Sequence, residues 1–581
     1  MKRWWSLVAS CIVALAMGRA HLATAATYYV DGAGSDTGDG SESQPWMTVG
    51  HAASQAGPGD LVVVRSGTYA ESVLLTRSGE AGAAMIFRGL PGAVLTSPDP
   101  TKSLSAFDVT AGVAYVSVQG FELGGGFAET VFVRAGAHHI ELSGLNIHDN
   151  RTGIWIAGAT DVVVSDSVIA NNHRTGVRVF AGARRVHVVD TRAEGNNDGL
   201  GCSGDSDGFN ADDTTSDIVF ERVAAVHNSE DGLDLQTPTA AVLGATVQDN
   251  GCSGVKLAAG GYIENALIER QRIGINMDGS SGTMTVIQNC TLSQNQLGVR
   301  AAGDGPGLTL RNTIIDGPAK ALSYAATVEL IEDHNVFHRP LAKDRLIVRS
   351  ALSGETLYSA NDINSGVWQH DTGQGQDTMA SDPQLTSSGC HLRTGSIAID
   401  SGTPFGAPAS DLAGTPRPVG AAVDRGAFEC VPGPPRLQVR RATLRADGAG
   451  YGRLRVDADV LVPAGVTLDA LTGPASITLA GARGTVAAAE IGTQGWTELM
   501  TGGSRLLGIW RLDDRDGAER VTLSVYRDRL RLSLDAGDAD VWAAGGGGLQ
   551  LTIAVGQIAV SGNVGVRGIG RFARDAMDRF R

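Results

Sequence analysis

The chain has 581 residues, long enough for more than one domain. Its 78 glycines against 19 prolines show no strict triplet period, which excludes a collagen-like fold. A formal charge of −15 excludes a general nucleic-acid binder, which needs a basic face. It also means that any acidic polymer must be held by a local cationic site or a bound metal.

The first predicted element is a secretory signal over residues 1–25. Lys2 and Arg3 give the positive start, Trp4 to Met17 is mostly apolar, and Ala23-Thr24-Ala25 is an A-x-A cleavage pattern. The apolar run is too short to span a bilayer, and no later stretch qualifies as a membrane helix. The expectation is an exported chain of bacterial type, secreted or held at the cell surface or in the periplasm, and acting as a monomer. Export permits disulfides among Cys202, Cys252, Cys290, Cys390 and Cys430. Cys202 with Cys252 and Cys390 with Cys430 is one expected pairing, with one thiol left over.

Residues 26–75 hold a strand at Tyr28-Tyr29-Val30, a turn-rich acidic loop from Asp31 to Glu42 and a helix-like stretch near Val49 to Gln55. They are expected to cap the open end of a solenoid, whose strand edges would otherwise aggregate. In that loop, Asp36 and Asp39 read as solvated acids, with a second cation site as the alternative. Residues 76–345 are the solenoid itself. Short β-branched segments begin at Gly153, Gly176, Gly208, Gly232, Gly254, Gly274 and Gly298, at spacings of 23, 32, 24, 22, 20 and 24. Intervals near 20–24 residues signal one coil per repeat, and a right-handed parallel β-helix, an all-β fold, fits them best.

Period-two geometry assigns the faces. The residues one and three after each glycine are apolar: Ile154 and Ile156, Val177 and Val179, Leu233 and Leu235, Val255 and Leu257, Ile275 and Met277. They should fill the coil. The residue between them should point outward, which gives a ladder of Trp155, Arg178, Asn210, Asp234, Lys256, Asn276 and Arg300 on one exposed sheet, with ~4.8 Å between coils. The 32-residue interval carries about nine extra residues near Asn197 to Asp205, and an insertion on one face of a solenoid commonly builds a groove. Asn171-Asn172 and Gln248-Asp249-Asn250 are expected to stack as turn ladders, and His138-His139 to lie on the surface.

Residues 346–432 read as a closing segment, with Asp400, Asp411, Arg417 and Asp424 expected in a structural polar network. A Pro-rich linker at Val431 to Pro435 precedes residues 433–581, whose alternating runs suggest an antiparallel β-sandwich-like accessory domain.

The chemistry gathers on the ladder. Asp207 and Asp231 each precede a coil glycine, and Glu230 and Asp234 flank Asp231. Carboxylates at this spacing repel unless a cation sits among them, and an all-oxygen set suits Ca²⁺. Lys256 beside such a cation is expected to have a lowered pKa, which would make it a base. Taken singly, Asp207-Gly208 and Asp231-Gly232 also read as turn formers.

Three segments together, Ser206-Asp207-Gly208-Phe209, Asn228-Ser229-Glu230-Asp231-Gly232-Leu233-Asp234-Leu235 and Gly254-Val255-Lys256-Leu257, resemble the motifs of the family nine polysaccharide lyases, whose known members cleave pectate. The resemblance covers residues 200–280 closely and the rest as architecture. It implies calcium ligands at Asp207, Glu230, Asp231 and Asp234 and a catalytic base at Lys256. The chain departs from the family pattern at Glu230 (Asp in the family), at Leu233 (an aromatic) and at Ser253 and Val255 around the lysine (Asn and Phe). Residues 381–429 resemble a closing module of secreted and surface β-helix proteins. The expected activity is β-elimination on an acidic polysaccharide, with Arg178, Asn210, Asn276 and Arg300 as substrate-binding residues. The alternatives are a non-catalytic carbohydrate-binding surface protein, a uronan C5-epimerase, which shares the first proton abstraction, and a glycosidase, which would need carboxylates without a lysine base.

Overall fold

A computed structural model describes residues 25–430, apart from 280–282, 303–306, 318, 340–344, 387–390 and 394, together with the backbone of ten strands between 436 and 564. The expected signal segment and Cys390 lie outside the described residues, as does the proline-rich linker.

Residues 27–380 wind into three sheets of thirteen strands each. Every strand pairs in parallel with its counterparts on neighbouring coils, except the closing hairpin of Ile347–Ala351 with Gly354–Tyr358. The chain is an all-β, right-handed parallel β-helix. One continuous apolar core runs through it, and all the inward residues named above are buried in it. The alternation expected from the sequence thus holds coil after coil, because a slip of one residue would turn the whole apolar set outward.

The repeat glycines have a steric cause. A Cβ on Gly208 would lie 2.7 Å from the carbonyl oxygen of Gly232 and 2.9 Å from Asn228 Nδ2. On Gly232 it would lie 2.5 Å from both the Gly254 carbonyl oxygen and Val247 Cγ1. Neither the backbone of the next coil nor a core valine can give way cheaply. Gly232→Ala should therefore cost about 1–3 kcal/mol of stability, read by chemical denaturation. An unchanged midpoint would contradict this packing.

The corners that precede these coil glycines are held by buried amides. Asn172 Oδ1 accepts from the Asn150 backbone N–H (3.2 Å), Asn228 Oδ1 from that of Asn196 (3.2 Å) and Asn250 Oδ1 from that of Asn228 (3.0 Å). Asn228 Nδ2 donates to the Ala193 carbonyl (3.1 Å). Each amide satisfies backbone groups that the turn strips from the sheets. The preceding residues, Asp149, Asn171, His227 and Asp249, take positive φ of 55–56°. Expected as turn ladders at Asn172 and Asn250, these residues form a buried stack that fixes the Asn228–Asp231 corner.

At the N-terminal end, the helix Val49–Gln55 lays Val49, Ala52 and Ala53 over the first coil. Asp36 accepts from the N–H groups of Met47 (2.8 Å) and Thr48 (3.0 Å) and from the Thr48 hydroxyl (2.9 Å). Its oxygens are thus spent on the entry to that helix rather than on a cation. At the other end Trp368, on the helix Val367–Thr372, is buried against Tyr324 and Tyr358, with ring centroids 6.3 and 4.8 Å away. Residues 396–430 run back along the flank. Asn265 Nδ2 donates to the Ser410 carbonyl (2.7 Å), Asn312 Nδ2 to that of Thr403 (2.7 Å) and Arg425 Nη1 to that of Asn335 (2.9 Å). The polar network foreseen there is present, centred on Glu429. Arg417 pairs with it at 2.6 Å, and Asp411 accepts its backbone N–H at 2.8 Å.

Beyond residue 436 the ten strands form an antiparallel six-stranded sheet and an antiparallel four-stranded sheet. The two touch where Arg436–Ala446 meets Ile558–Val564 and where Gly484–Ile491 meets Arg529–Asp540.

Candidate active site

The ladder stands in the register expected from the sequence. Across one sheet Trp155 pairs with Arg178, Arg178 with Asn210, Asn210 with Asp234, Asp234 with Lys256, Lys256 with Asn276 and Asn276 with Arg300. One feature differs from the open face anticipated. Asn210, Asp234 and Asn276 are buried: Asn276 stands between the longer Lys256 and Arg300, while Asn210 and Asp234 lie side by side between Arg178 and Lys256. Lys256 remains partly exposed between them.

Beside the ladder, at the start of the same strands, Asp207, Glu230 and Asp231 each present a carboxylate oxygen, all within 4.8 Å of one another. Asp207 and Asp231 are not simple turns. Asp207 Oδ1 accepts the Asp231 backbone N–H (3.1 Å), and Asp231 Oδ1 accepts that of Ser253 (2.6 Å). The stacking of coils therefore places these acids. Asn210 Nδ2 donates to Asp207 Oδ2 (3.1 Å), and the Ser206 N–H donates to Glu230 (3.3 Å). Burial, together with the charges of Asp234, Glu230 and Asp231, drives the Asp207 carboxyl well above the usual range. Burial also pushes Glu230 up to about 7, opposed by the Ser206 N–H, and Asp231 up to about 6, opposed by the Ser253 N–H. Two buried carboxyls and one half-buried, all of raised pKa and with converging oxygens, could hold a hard divalent cation, and an all-oxygen set suits calcium.

Asp234 takes a different place. Its Oδ2 lies 3.3 Å from Lys256 Nζ, and its Oδ1 is buried without a partner. It links the acidic trio to the lysine. Burial works to lower the Lys256 pKa, but Asp234, Asp231 and Asp278 outweigh it and the pKa is raised. The lowering foreseen for Lys256 presupposed a cation among the carboxylates. With their charges uncompensated, the same carboxylates hold the ammonium form.

Two arginines were expected to meet substrate. Arg178 Nη1 lies 3.0 Å from both carboxylate oxygens of Asp205, and Arg174 lies 3.5 Å from the same acid. Its charge is therefore already matched. Arg300 donates to Asn276 Oδ1 (3.2 Å), and no ion pair engages it among the described residues. Asp205 and Asp278 were not singled out from the sequence. Asp205 could have been found, since it ends the insertion; Asp278 carries no sequence signal.

The insertion runs between Glu194 and Gly208 and is tied down by the Cys202–Cys252 disulfide, which closes a 50-residue separation. Cys252 sits one residue before Ser253, whose N–H is the Asp231 partner. Cys252→Ser should lower stability by up to about 4 kcal/mol in the chain-entropy limit. It should also expose 195–205 to limited proteolysis, and equal resistance with and without reductant would contradict this tether.

Residues 28–312 match a family model described as "Pel9A-like, right handed beta helix region". The chain is 28% identical over 164 residues to the uncharacterized protein YwoF of Bacillus subtilis (strain 168), covering 27% of this chain and 31% of that protein. It thus spans about a third of the length of this curated relative. Similar solved structures include pectate lyase Pel9A, at 17% identity and TM-score 0.42, covering 71% of this chain and 98% of that one. Another is XylC with xylose, at 12% identity and TM-score 0.47, covering 70% and 98%.

Proposed function

Residues 28–312 belong to the Pel9A-like right-handed β-helix family, and from that premise we propose that the chain is an exported, calcium-dependent polysaccharide lyase that cleaves a uronic-acid polymer of the pectate kind by β-elimination. The observation that carries this reading is the in-register Asp234–Lys256 pair beside the converging oxygens of Asp207, Glu230 and Asp231. These three acids would hold the calcium ion. A bound calcium supplies positive charge that offsets the carboxylates and stabilises the negative charge developing on a uronate. Arg300, free of an acidic partner among the described residues, orients the uronate carboxylate. Lys256 Nζ takes the C5 proton. The C4–C5 double bond forms as the C4–O4 bond breaks, and the departing oxygen takes up a proton. Asn210 and Asn276 flank the reacting sugar.

Incubation with pectate and other uronic-acid polymers, with and without a chelator, tests the proposal. The expected result is an ultraviolet-absorbing unsaturated product that the chelator abolishes. Sugars of changed configuration without cleavage would indicate an epimerase, and binding without either change a non-catalytic surface protein. Either outcome would overturn the lyase reading. Among the described residues no helix is long and apolar enough to cross a membrane.

A further inference from the structure

Three aromatic side chains on the site's own sheet have no place in the core. Phe107, Phe121, Phe209 and Phe220 are fully buried inside the coils. Phe132, Trp155 and Phe180 instead point outward and are only partly covered. Phe132 pairs with Trp155, and Trp155 with Arg178, on the ladder that continues to Asp234 and Lys256. The Trp155 ring lies 6.1 Å from Phe132 and 5.3 Å from Phe180, near perpendicular to both. Arg134 stands over Phe132 at 4.2 Å and Arg178 over Phe180 at 5.6 Å. Both guanidinium groups are already matched, Arg134 by Asp108 at 2.6 Å and Arg178 by Asp205 at 3.0 Å. The patch is thus aromatic and fixed in geometry, and each arginine over its rings is paired with an acid.

We propose that Phe132, Trp155 and Phe180 form a remote stacking subsite for the polysaccharide, which lies along the helix axis over this sheet. The inference rests on the reading of the Asp234–Lys256 face as a polysaccharide site. A pyranose presents an apolar C–H face that suits a partly exposed aromatic ring, as aromatic rings combine apolar area with a fixed geometry. Trp155 is three coils from Asp234, about 14 Å at the coil rise, which is comparable to three sugar units. With the arginine charges matched, the subsite reads ring faces and needs no carboxylate. A short oligomer seated at Lys256 does not reach it, and a long one does.

Calorimetry with trimeric and octameric oligogalacturonates, and with alginate oligouronides of the same lengths, tests this in a Lys256→Ala background with calcium present. Trp155→Ala should lower the octamer-to-trimer affinity ratio by about tenfold, with Trp155→Phe restoring most of it. Phe180→Ser serves as a second variant should Trp155→Ala unfold. An unchanged ratio in both variants overturns the subsite and leaves the catalytic reading intact. Equal losses for trimer and octamer also overturn it, since the residue then acts through the fold. If neither series binds the parent chain, the inference and the reading it rests on fall together.

Discussion

Lys256→Ala is expected to reduce formation of unsaturated product by about 10²–10⁴-fold, the range that a positioned proton-transfer group supplies. The fold should survive, because Lys256 is partly exposed and its neighbours Val255 and Leu257, not it, fill the core. Calcium binding should be kept or strengthened, since removing the ammonium leaves Asp234 and the trio with less compensation. That split, activity lost and cation binding retained, separates a base from a structural lysine. In the calcium-loaded wild-type chain the rate should climb as pH rises through the titration of Lys256, because the amine must lose its proton to act. Full activity in the alanine variant would sink the assignment.

A second large effect is expected from pH and calcium together. Asp207, Glu230 and Asp231 all have folded pKa values above their ordinary ones, the latter two at about 7 and about 6. Between the ordinary carboxylate range and those values the folded chain holds more protons than the unfolded one. Without a cation, stability therefore falls as pH rises through roughly 4 to 7. A cation binds the ionised trio, so its stabilisation should be small at pH 5 and on the order of 2–3 kcal/mol at pH 8 with saturating calcium. Thermal unfolding of chelator-treated protein, with and without calcium at both pH values, reads this. Asp231→Asn should do two opposite things at pH 8: raise the stability of the calcium-free chain, by removing a repelled charge, and remove most of the calcium gain. A calcium gain equal at both pH values, or one that survives in Asp231→Asn, would contradict the site.

Much of the candidate site was legible beforehand because a parallel β-helix turns sequence spacing into position. Glycines at nearly constant intervals set the phase, since a Cβ there would strike the next coil. The strict alternation then assigned faces, so Asp234 and Lys256 were expected to be neighbours and are. The same regularity explains the Asn172 and Asn250 stacks. Illegible features involve partners far apart along the chain or irregular backbone. Asp205 reaches Arg178 from across the insertion. The return of residues 396–430 along the flank was not foreseen, nor was the use of Trp368 to seal the last coil.

The sequence by itself determined the all-β solenoid, the coil phase and the order of residues along the ladder, because these follow from side-chain period and glycine sterics alone. Tertiary structure decided where each polar side chain spends its hydrogen bonds and charge. Asp207, Glu230 and Asp231 converge on one point, whereas Asp234 turns one oxygen to Lys256. Arg178 is occupied by an acid, whereas among the described residues no acid engages Arg300. The physical reason is that register is a property of the backbone repeat. The direction and protonation of a side chain depend instead on competing partners a few ångströms away, supplied by other coils and by the loop that the disulfide holds in place.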